Sequence, residues 1–327
     1  MPKISVIIPV FNGENTIKDT IQSVLNQTFT DLELIIINAS STDSTLDIIS
    51  IFQDSRIKKI SYPKANVAVN RNRGFLHSEG EFITFIDADD LWTIDKLEAQ
   101  YNALIENPQA AVAYSWTKCV DETGKFLRNC SYVQHTGDVY DKFLLDDFIG
   151  NGSNVMIRRG AFLSVGGFDE KLSNAQDTDM WLRLAANYHF TVVPKPQVLY
   201  RISDNSMSSD IIGLEKSNLQ VIERAFADKK AECLQHLKQH SVANLYKYLS
   251  YKVLEASPGK HNTLQAIRIL TTAIKTDPSL MLKPITFKSF IKLMIMTFLP
   301  PKVVVMLFAK FTSIFNTSTF LGYEKTS

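Results

Sequence analysis

The chain has 327 residues, with 35 lysines and arginines against 34 aspartates and glutamates, a formal net charge of +1. Apolar residues make up 45% and aromatics 10%. That is the composition of a folded globular protein. The charge balance excludes a basic field for general nucleic-acid binding and excludes overall disorder. At roughly 100–200 residues per domain, the length fits about two structural units. Cys119, Cys130 and Cys233 are odd in number and widely spaced. They imply neither a disulfide framework nor a cysteine metal site, and a reducing, cytoplasmic compartment suits them.

The N-terminus has one lysine, an apolar stretch broken by Pro9 and no small-residue cleavage site, so it reads as a buried strand and not as a signal peptide. Residues 4–8 form the continuous apolar run of a parallel strand covered on both faces. Ile17, Ile21, Val24 and Leu25 then recur at helical spacing. A second strand is predicted over 32–37 and a second helix over 45–52, with Ser41 or Thr42 as its cap. A weaker strand follows at 57–61, a helix at 67–77, a fourth strand at 81–86, and a helix over 94–106 that stops at Asn107-Pro108. This alternation predicts an α/β fold with a doubly wound sheet. Residues 111–205 read as more irregular, with short strands, several glycines and a helix near 178–187. From about 210 onward the pattern is helical.

The far end is unusual in charge. Residues 278–323 contain no acid but five lysines, Lys283, Lys288, Lys292, Lys302 and Lys310, among many apolar residues. The apolar runs 293–299 and 303–309 are too short to span a bilayer, which needs about 20 residues. Two readings stay open: a lysine-flanked attachment to a membrane surface, or a helical tail packed on the catalytic domain or on a second subunit. Lys288 and Lys292 are spaced to share a helical face.

Chemistry concentrates after the fourth strand, where Asp87, Asp89 and Asp90 follow an apolar run. Acidic residues at the carboxyl end of a buried parallel strand sit where open α/β sheets bind ligands. Three carboxylates in four residues repel one another, and a hard cation such as Mg²⁺ or Mn²⁺, shared with diphosphate oxygens, compensates them. An Asp-rich turn that only caps the next helix is the plainer reading.

The neighbouring segments favour the first. Val6 to Asn12 closes strand one, Ser23 to Thr28 ends helix one, and Ser41-Thr42-Asp43 follows strand two. Arg71-Asn72-Arg73-Gly74 precedes the aspartates, and Gly166-Gly167-Phe168-Asp169 and Gln176-Asp177-Thr178-Asp179-Met180-Trp181 come after them. In this order and spacing the set resembles the family 2 glycosyltransferases, inverting enzymes of the GT-A fold, over about residues 3–205. The resemblance implies a Rossmann-like mixed sheet flanked by helices, with a nucleotide-sugar-binding half (1–95), an acceptor-side half (96–205) and a C-terminal helical extension (206–327). It implies a nucleotide-sugar donor held by Pro9, Phe11, Asn38, Arg71, Asp87 and Asp89. Asp89, with Asp87, would take a divalent Mn²⁺ or Mg²⁺. Asp177 would be the catalytic base, with Asp179 and Trp181 as acceptor-side candidates. The acceptor would be a glycan, a lipid-linked sugar or a small molecule, as in polysaccharide and cell-envelope biosynthesis.

Two positions depart from the family pattern. Asn38-Ala39-Ser40-Ser41 stands where relatives carry Asp-Asp-Gly-Ser, so the carboxylate that touches the nucleobase is missing, although Asn38 still offers an amide. Tyr200-Arg201-Ile202-Ser203 stands for Tyr-Arg-x-His, which replaces a histidine by Ser203. These changes, with Gln176, keep open a reading as an inactive nucleotide-sugar-binding relative or scaffold. A sugar nucleotidyltransferase would need a glycine- and arginine-rich loop after strand one, and Pro9 to Glu14 is not one. His236 and His240 have zinc-pair spacing but Leu237 takes the place of the required Glu, and Gly150-Asn151-Gly152 is not a dinucleotide fingerprint. Trp92 and Trp116 are expected in the core.

Overall fold

The computed structural model describes residues 1–130, 132–202, 210–255 and 260–321. The chain divides into two units: residues 1–143 with 147–203, and residues 144–146 with 204–327.

The first unit is built on one mixed sheet. Its strands are β1 (Ile4–Val10), β2 (Leu32–Asn38), β3 (Ile57–Ser61), β4 (Phe82–Phe85), β5 (Leu91–Trp92), β6 (Ala110–Val120), β7 (Phe126–Asn129), β8 (Met156–Arg158) and β9 (His189–Arg201). The order is β3-β2-β1-β4-β8-β6-β9-β5, with β7 paired to β6. Strands β1 to β4 run parallel to one another, and β8 is antiparallel to both β4 and β6. Every residue of β1, β2 and β4 is buried, as continuous Ile/Val/Leu/Phe runs require when helices cover both faces. The helices of this part of the chain are α1 (Ile17–Leu25), α2 (Thr45–Ile51), α3 (Val67–Leu76), α4 (Lys96–Glu106), α5 (Tyr140–Leu145), α6 (Arg159–Ser164) and α7 (Gln176–Asn187). Ile17, Ile21 and Val24 of α1 meet Val6, Ile8 and Leu34 in one core.

Three expectations are corrected. The cap of α2 is neither Ser41 nor Thr42: Ser44 holds the cap position, and the Asp43 carboxylate accepts from the Thr45 N–H at 3.1 Å. Ser41 and Thr42 instead tie the loop after β2 to Asn12. Residues 111–205 are not a run of short strands, because β6 has 11 residues and β9 has 13. Pro194 and Pro196 hide the latter from a periodicity reading; the β6–β9 ladder shifts register on both sides of Trp116, opposite Pro196. Proline donates no ladder hydrogen bond and is accommodated at such irregularities. Finally, Cys119 and Cys130 form a disulfide with a Cα–Cα distance of 6.3 Å. The β6–β7 hairpin brings together two residues that look remote in sequence, so the cysteines do not argue for a reducing compartment.

The second unit is helical, with α8 (Ile211–Ala227), α9 (Lys238–Glu255), α10 (Lys260–Thr276), α11 (Pro284–Phe298), α12 (Pro301–Lys310) and α13 (Thr312–Phe315). Leu214, Leu249, Leu254, Ile269, Leu270, Ile285, Leu293 and Phe320 share its core. Lys288 and Lys292 lie one turn apart on α11, as their spacing implies, but they are not both solvated. Lys288 is exposed, whereas Lys292 is 4% exposed and donates to Glu255 at 2.9 Å. No helix among the described residues is long and apolar enough to cross a membrane.

Gly74 seats α3 against the sheet. A Cβ there would collide with the Ile7 side chain and press on Ile37 at 3.3 Å. Gly74→Ala is therefore expected to destabilise the protein by about 1–3 kcal/mol, as overpacking does, read as a lower denaturation midpoint at unchanged slope. An unchanged midpoint would contradict this packing.

Candidate active site

Parallel β1 and β4 end side by side, with Ile7 opposite Phe85, and the chain leaves β4 into Asp87-Ala88-Asp89-Asp90. The Asp90 N–H donates to the Asp87 carbonyl at 3.1 Å, which closes these residues into a turn. Helix α3 starts at an Asn66 cap, whose side chain accepts from Val69 N–H at 2.9 Å. One turn on, it delivers Arg71. This residue is 1% exposed, and its Nη2 donates to Asp87 Oδ1 at 2.7 Å. Its Nε and Nη1 are buried and make no hydrogen bond. The Phe168 ring lies 5.1 Å from the guanidinium. Arg71 is thus an interior cation with spare donors, a costly arrangement unless something accepts them.

Asp177 enters from the first turn of α7, behind a left-handed Ala175 (φ 56°). Its neighbour Thr178 donates to Asp147 at 2.7 Å, which anchors this helix start. Burial pushes the Asp177 carboxyl up, Arg71 pulls it back down, and the Asp87 charge raises it again. Arg71 therefore acts on both Asp87 and Asp177.

Asp89 is pushed up to about 6, first by burial and then by the Asp87 charge, against a smaller downward pull from Arg201. Asp90 is fully buried; burial raises it well above the usual carboxylate range, and Asp89 and Asp87 add to the shift. It accepts from Ser153 Oγ at 2.5 Å and from Arg201 N–H at 3.0 Å. The Arg201 side chain binds the Asp89 carbonyl at 2.9 Å and the Glu122 carbonyl at 2.5 Å. Arg201 and Ser153, to which the sequence pattern gives no role, both brace the turn. The only sequence signal for Ser153 was its glycine-rich surroundings. Ser203 lies outside the described residues.

At the donor end, Pro9 is buried in β1, while Phe11 is 40% exposed with Lys64 Nζ 3.9 Å from its ring centroid. Asn38 is buried and committed: its amide donates to Ser61 Oγ at 3.2 Å and its oxygen accepts from Ser41 N–H at 3.1 Å. One N–H of the amide expected to read a nucleobase is thus engaged. On the acceptor side, two expectations are corrected. Trp181 is 0% exposed and packs edge-on to Phe168, so it offers no face to a sugar. Asp179 is buried and paired with Arg183 at 2.6 Å, so it is structural. Both side chains are buried, although Trp181 stands one helical turn from Asp177.

Hard carboxylate oxygens, set close together on Asp87 and Asp89, suit Mg²⁺ or Mn²⁺. Among the described residues no group of three His, Cys, Asp or Glu side chains could hold a metal ion, so Asp89 and Asp87 fit such a cation only together with oxygens from a bound diphosphate. Asp87→Asn would leave the buried Arg71 guanidinium without its nearest anion. The expected loss is about 3–5 kcal/mol of stability, as for a broken buried pair, measured by chemical denaturation. A wild-type midpoint would show that the pair is not a structural element.

Residues 5–253 match the model of a family described as "Glycosyltransferase like family 2". The chain is 32% identical over 185 residues to an uncharacterized glycosyltransferase of Rickettsia bellii, a match covering 56% of this chain and only 26% of that protein. It is 29% identical over 213 residues to an Escherichia coli UDP-Glc:alpha-D-GlcNAc-diphosphoundecaprenol beta-1,3-glucosyltransferase, covering 63% of this chain and 80% of that one. Among solved structures, a mannosyltransferase of Pyrobaculum calidifontis in complex with GDP-Man and Mn²⁺ superposes with a TM-score of 0.58, over 98% of this chain and 85% of that chain, at 16% identity. The shared architecture is the GT-A fold.

Proposed function

The chain belongs to glycosyltransferase family 2, and on that premise we propose that it transfers a sugar, with inversion, from a nucleoside-diphosphate donor to a hydroxyl of a glycan or lipid-linked acceptor. The observation that carries this reading is Arg71: a buried guanidinium with two unpartnered donor atoms, bonded to Asp87 and acting electrostatically on Asp177. One group thereby links the anion-binding turn to the candidate base.

In this reading Phe11 lines the nucleotide end, and the spare Arg71 donors take diphosphate oxygens. Asp177 accepts the proton of the acceptor hydroxyl. The acceptor oxygen bonds to the anomeric carbon from the face opposite the diphosphate as the bond to the phosphate oxygen breaks, and the proton remains on Asp177. A positioned base of this kind contributes about 10²–10⁴-fold. A divalent cation held by Asp89 and Asp87 would supply charge compensation for the departing diphosphate, worth several kcal/mol in broad terms.

A lipid-linked acceptor also gives the second unit a role. Phe287, Ile291, Met294 and Phe298 recur at helical spacing on α11 and are exposed. The opposite face, with Ile285, Leu293 and Met296, is buried. Residues 278–321 carry no acid, so this exposed face matches an anionic lipid surface. Cutting the tail away is a poor test because Leu280, Ile285, Leu293 and Phe320 belong to the core of this unit. Point changes are cleaner: the full chain should sediment with anionic vesicles, and the Phe287→Ser, Met294→Ser, Phe298→Ser combination should stay in the supernatant. Equal partitioning of the two would remove the membrane role.

For the chemistry, Asp177→Asn keeps the shape and removes the proton acceptor, so kcat should fall by about 10²-fold or more with donor KM nearly unchanged. A mild effect on kcat would remove Asp177 from the role of base. Burial raises the Asp177 carboxyl, and the deprotonated form is the active one. Activity should therefore be lost on the acid side at a pH above the ordinary Asp value of about 3.9. Excess chelator should abolish transfer and added Mn²⁺ or Mg²⁺ restore it; full activity in chelator would contradict the role of Asp89.

A further inference from the structure

The turn bearing Asp87 and Asp89 is held by a segment that the donor-binding reading does not use. Its main chain is clamped by side chains from three elements. Trp92 Nε1 donates to the Ser153 carbonyl at 2.8 Å, Gln100 Nε2 to the Asn154 carbonyl at 2.7 Å, and Thr84 Oγ1 to the Val155 carbonyl at 2.7 Å. Behind them, the buried Lys96 donates to Thr84 Oγ1 at 2.9 Å and lies 3.8 Å from the Trp92 ring centroid.

So fixed, the fully buried Ser153 hydroxyl reaches both ends of the aspartate turn. It accepts from the Asp87 N–H at 3.0 Å and donates its single proton to the Asp90 carboxylate at 2.5 Å. The residue before it, Gly152, lies so close to the Arg71 guanidinium that a Cβ would collide with it. The same guanidinium bonds the Asp87 carboxylate. Residues 152 and 153 therefore reach Asp87 twice, through its backbone and through its side chain.

We propose that Ser153 is a positioning residue: it fixes the Asp87–Asp90 turn in the orientation that presents Asp87 and Asp89 to a divalent cation and the donor diphosphate, without touching either ligand. This rests on the donor-site reading above. Without the hydroxyl, the Asp87 N–H and one Asp90 oxygen lose their partner, while the clamps on residues 153–155 remain. Groups that orient metal ligands in this way typically change metal affinity or activity by about 10–100-fold when lost.

The test is a Mn²⁺ titration of the full chain in the presence of a nucleoside diphosphate (UDP and GDP in turn), followed by electron paramagnetic resonance and run beside donor kinetics. Ser153→Ala should raise the Mn²⁺ dissociation constant and the donor KM at least about tenfold, with a smaller fall in kcat. Ser153→Thr, which keeps the hydroxyl, should recover most of both. Wild-type Mn²⁺ affinity and donor KM in Ser153→Ala would overturn the proposal. Should the alanine variant not fold, Ser153→Cys keeps the size with a weaker hydrogen bond, and wild-type values in it overturn the proposal equally. A wild-type chain that binds Mn²⁺ but transfers from no donor overturns the functional reading alone, and the titration still decides for or against Ser153. A wild-type chain that binds no Mn²⁺ overturns both.

Discussion

The site depends on burying one arginine. Arg71 is 1% exposed and meets Asp87 at 2.7 Å. Desolvating a guanidinium is expensive, and the opposing carboxylate offsets that only when the geometry is good. Several local features follow from this constraint. Gly74 brings α3 close to Ile7, and Gly152 leaves room for the guanidinium itself. Phe168 covers it. Two donor atoms are left over near the carboxylates of Asp87, Asp90 and Asp177. In the proposed reading an anionic ligand such as a diphosphate would satisfy these donors, and a cation on Asp89 would answer the remaining negative charge.

The nucleotide end is organised differently. The loops after β1 and β2 are laced to each other: Asn12 N–H donates to Ser41 Oγ, Thr42 N–H to Asn12 Oδ1, and Glu14 N–H to Asp43. Asn12 and Ser40 hold left-handed backbones at φ 52° and 57° to make this possible. Ala39 is fully buried, and Asn38 bonds to Ser61 and Ser41. In the proposed reading the exposed Phe11, with Lys64 over its ring, stands at this end for the nucleotide.

Buried parallel strands and the helices between them were legible because their apolar runs have one period and one cause. The Asp87–Asp90 turn and Asp177 were legible only as part of an ordered set of motifs, since an Asp-rich turn alone has a plainer explanation. What sequence could not give was anything decided by a second segment. Trp181, one helical turn from Asp177, looks free to face an acceptor until Phe168 is seen against it. Cys119 and Cys130 needed the β6–β7 hairpin before they could pair. Lys292 reads as one of five solvated lysines until Glu255, 37 residues earlier, is seen beside it. Ser153 carries no motif, and its importance is purely a matter of where its two hydrogen bonds go.

The central claim is a single displacement at the anomeric carbon with Asp177 as base, and stereochemistry tests it most directly. The chain, with a panel of α-linked nucleoside-diphosphate sugars and acceptor, would be followed by proton NMR of the anomeric signal in the first product formed. The account predicts a β-configured product that appears in step with free nucleoside diphosphate. A product that retains the α configuration would contradict it.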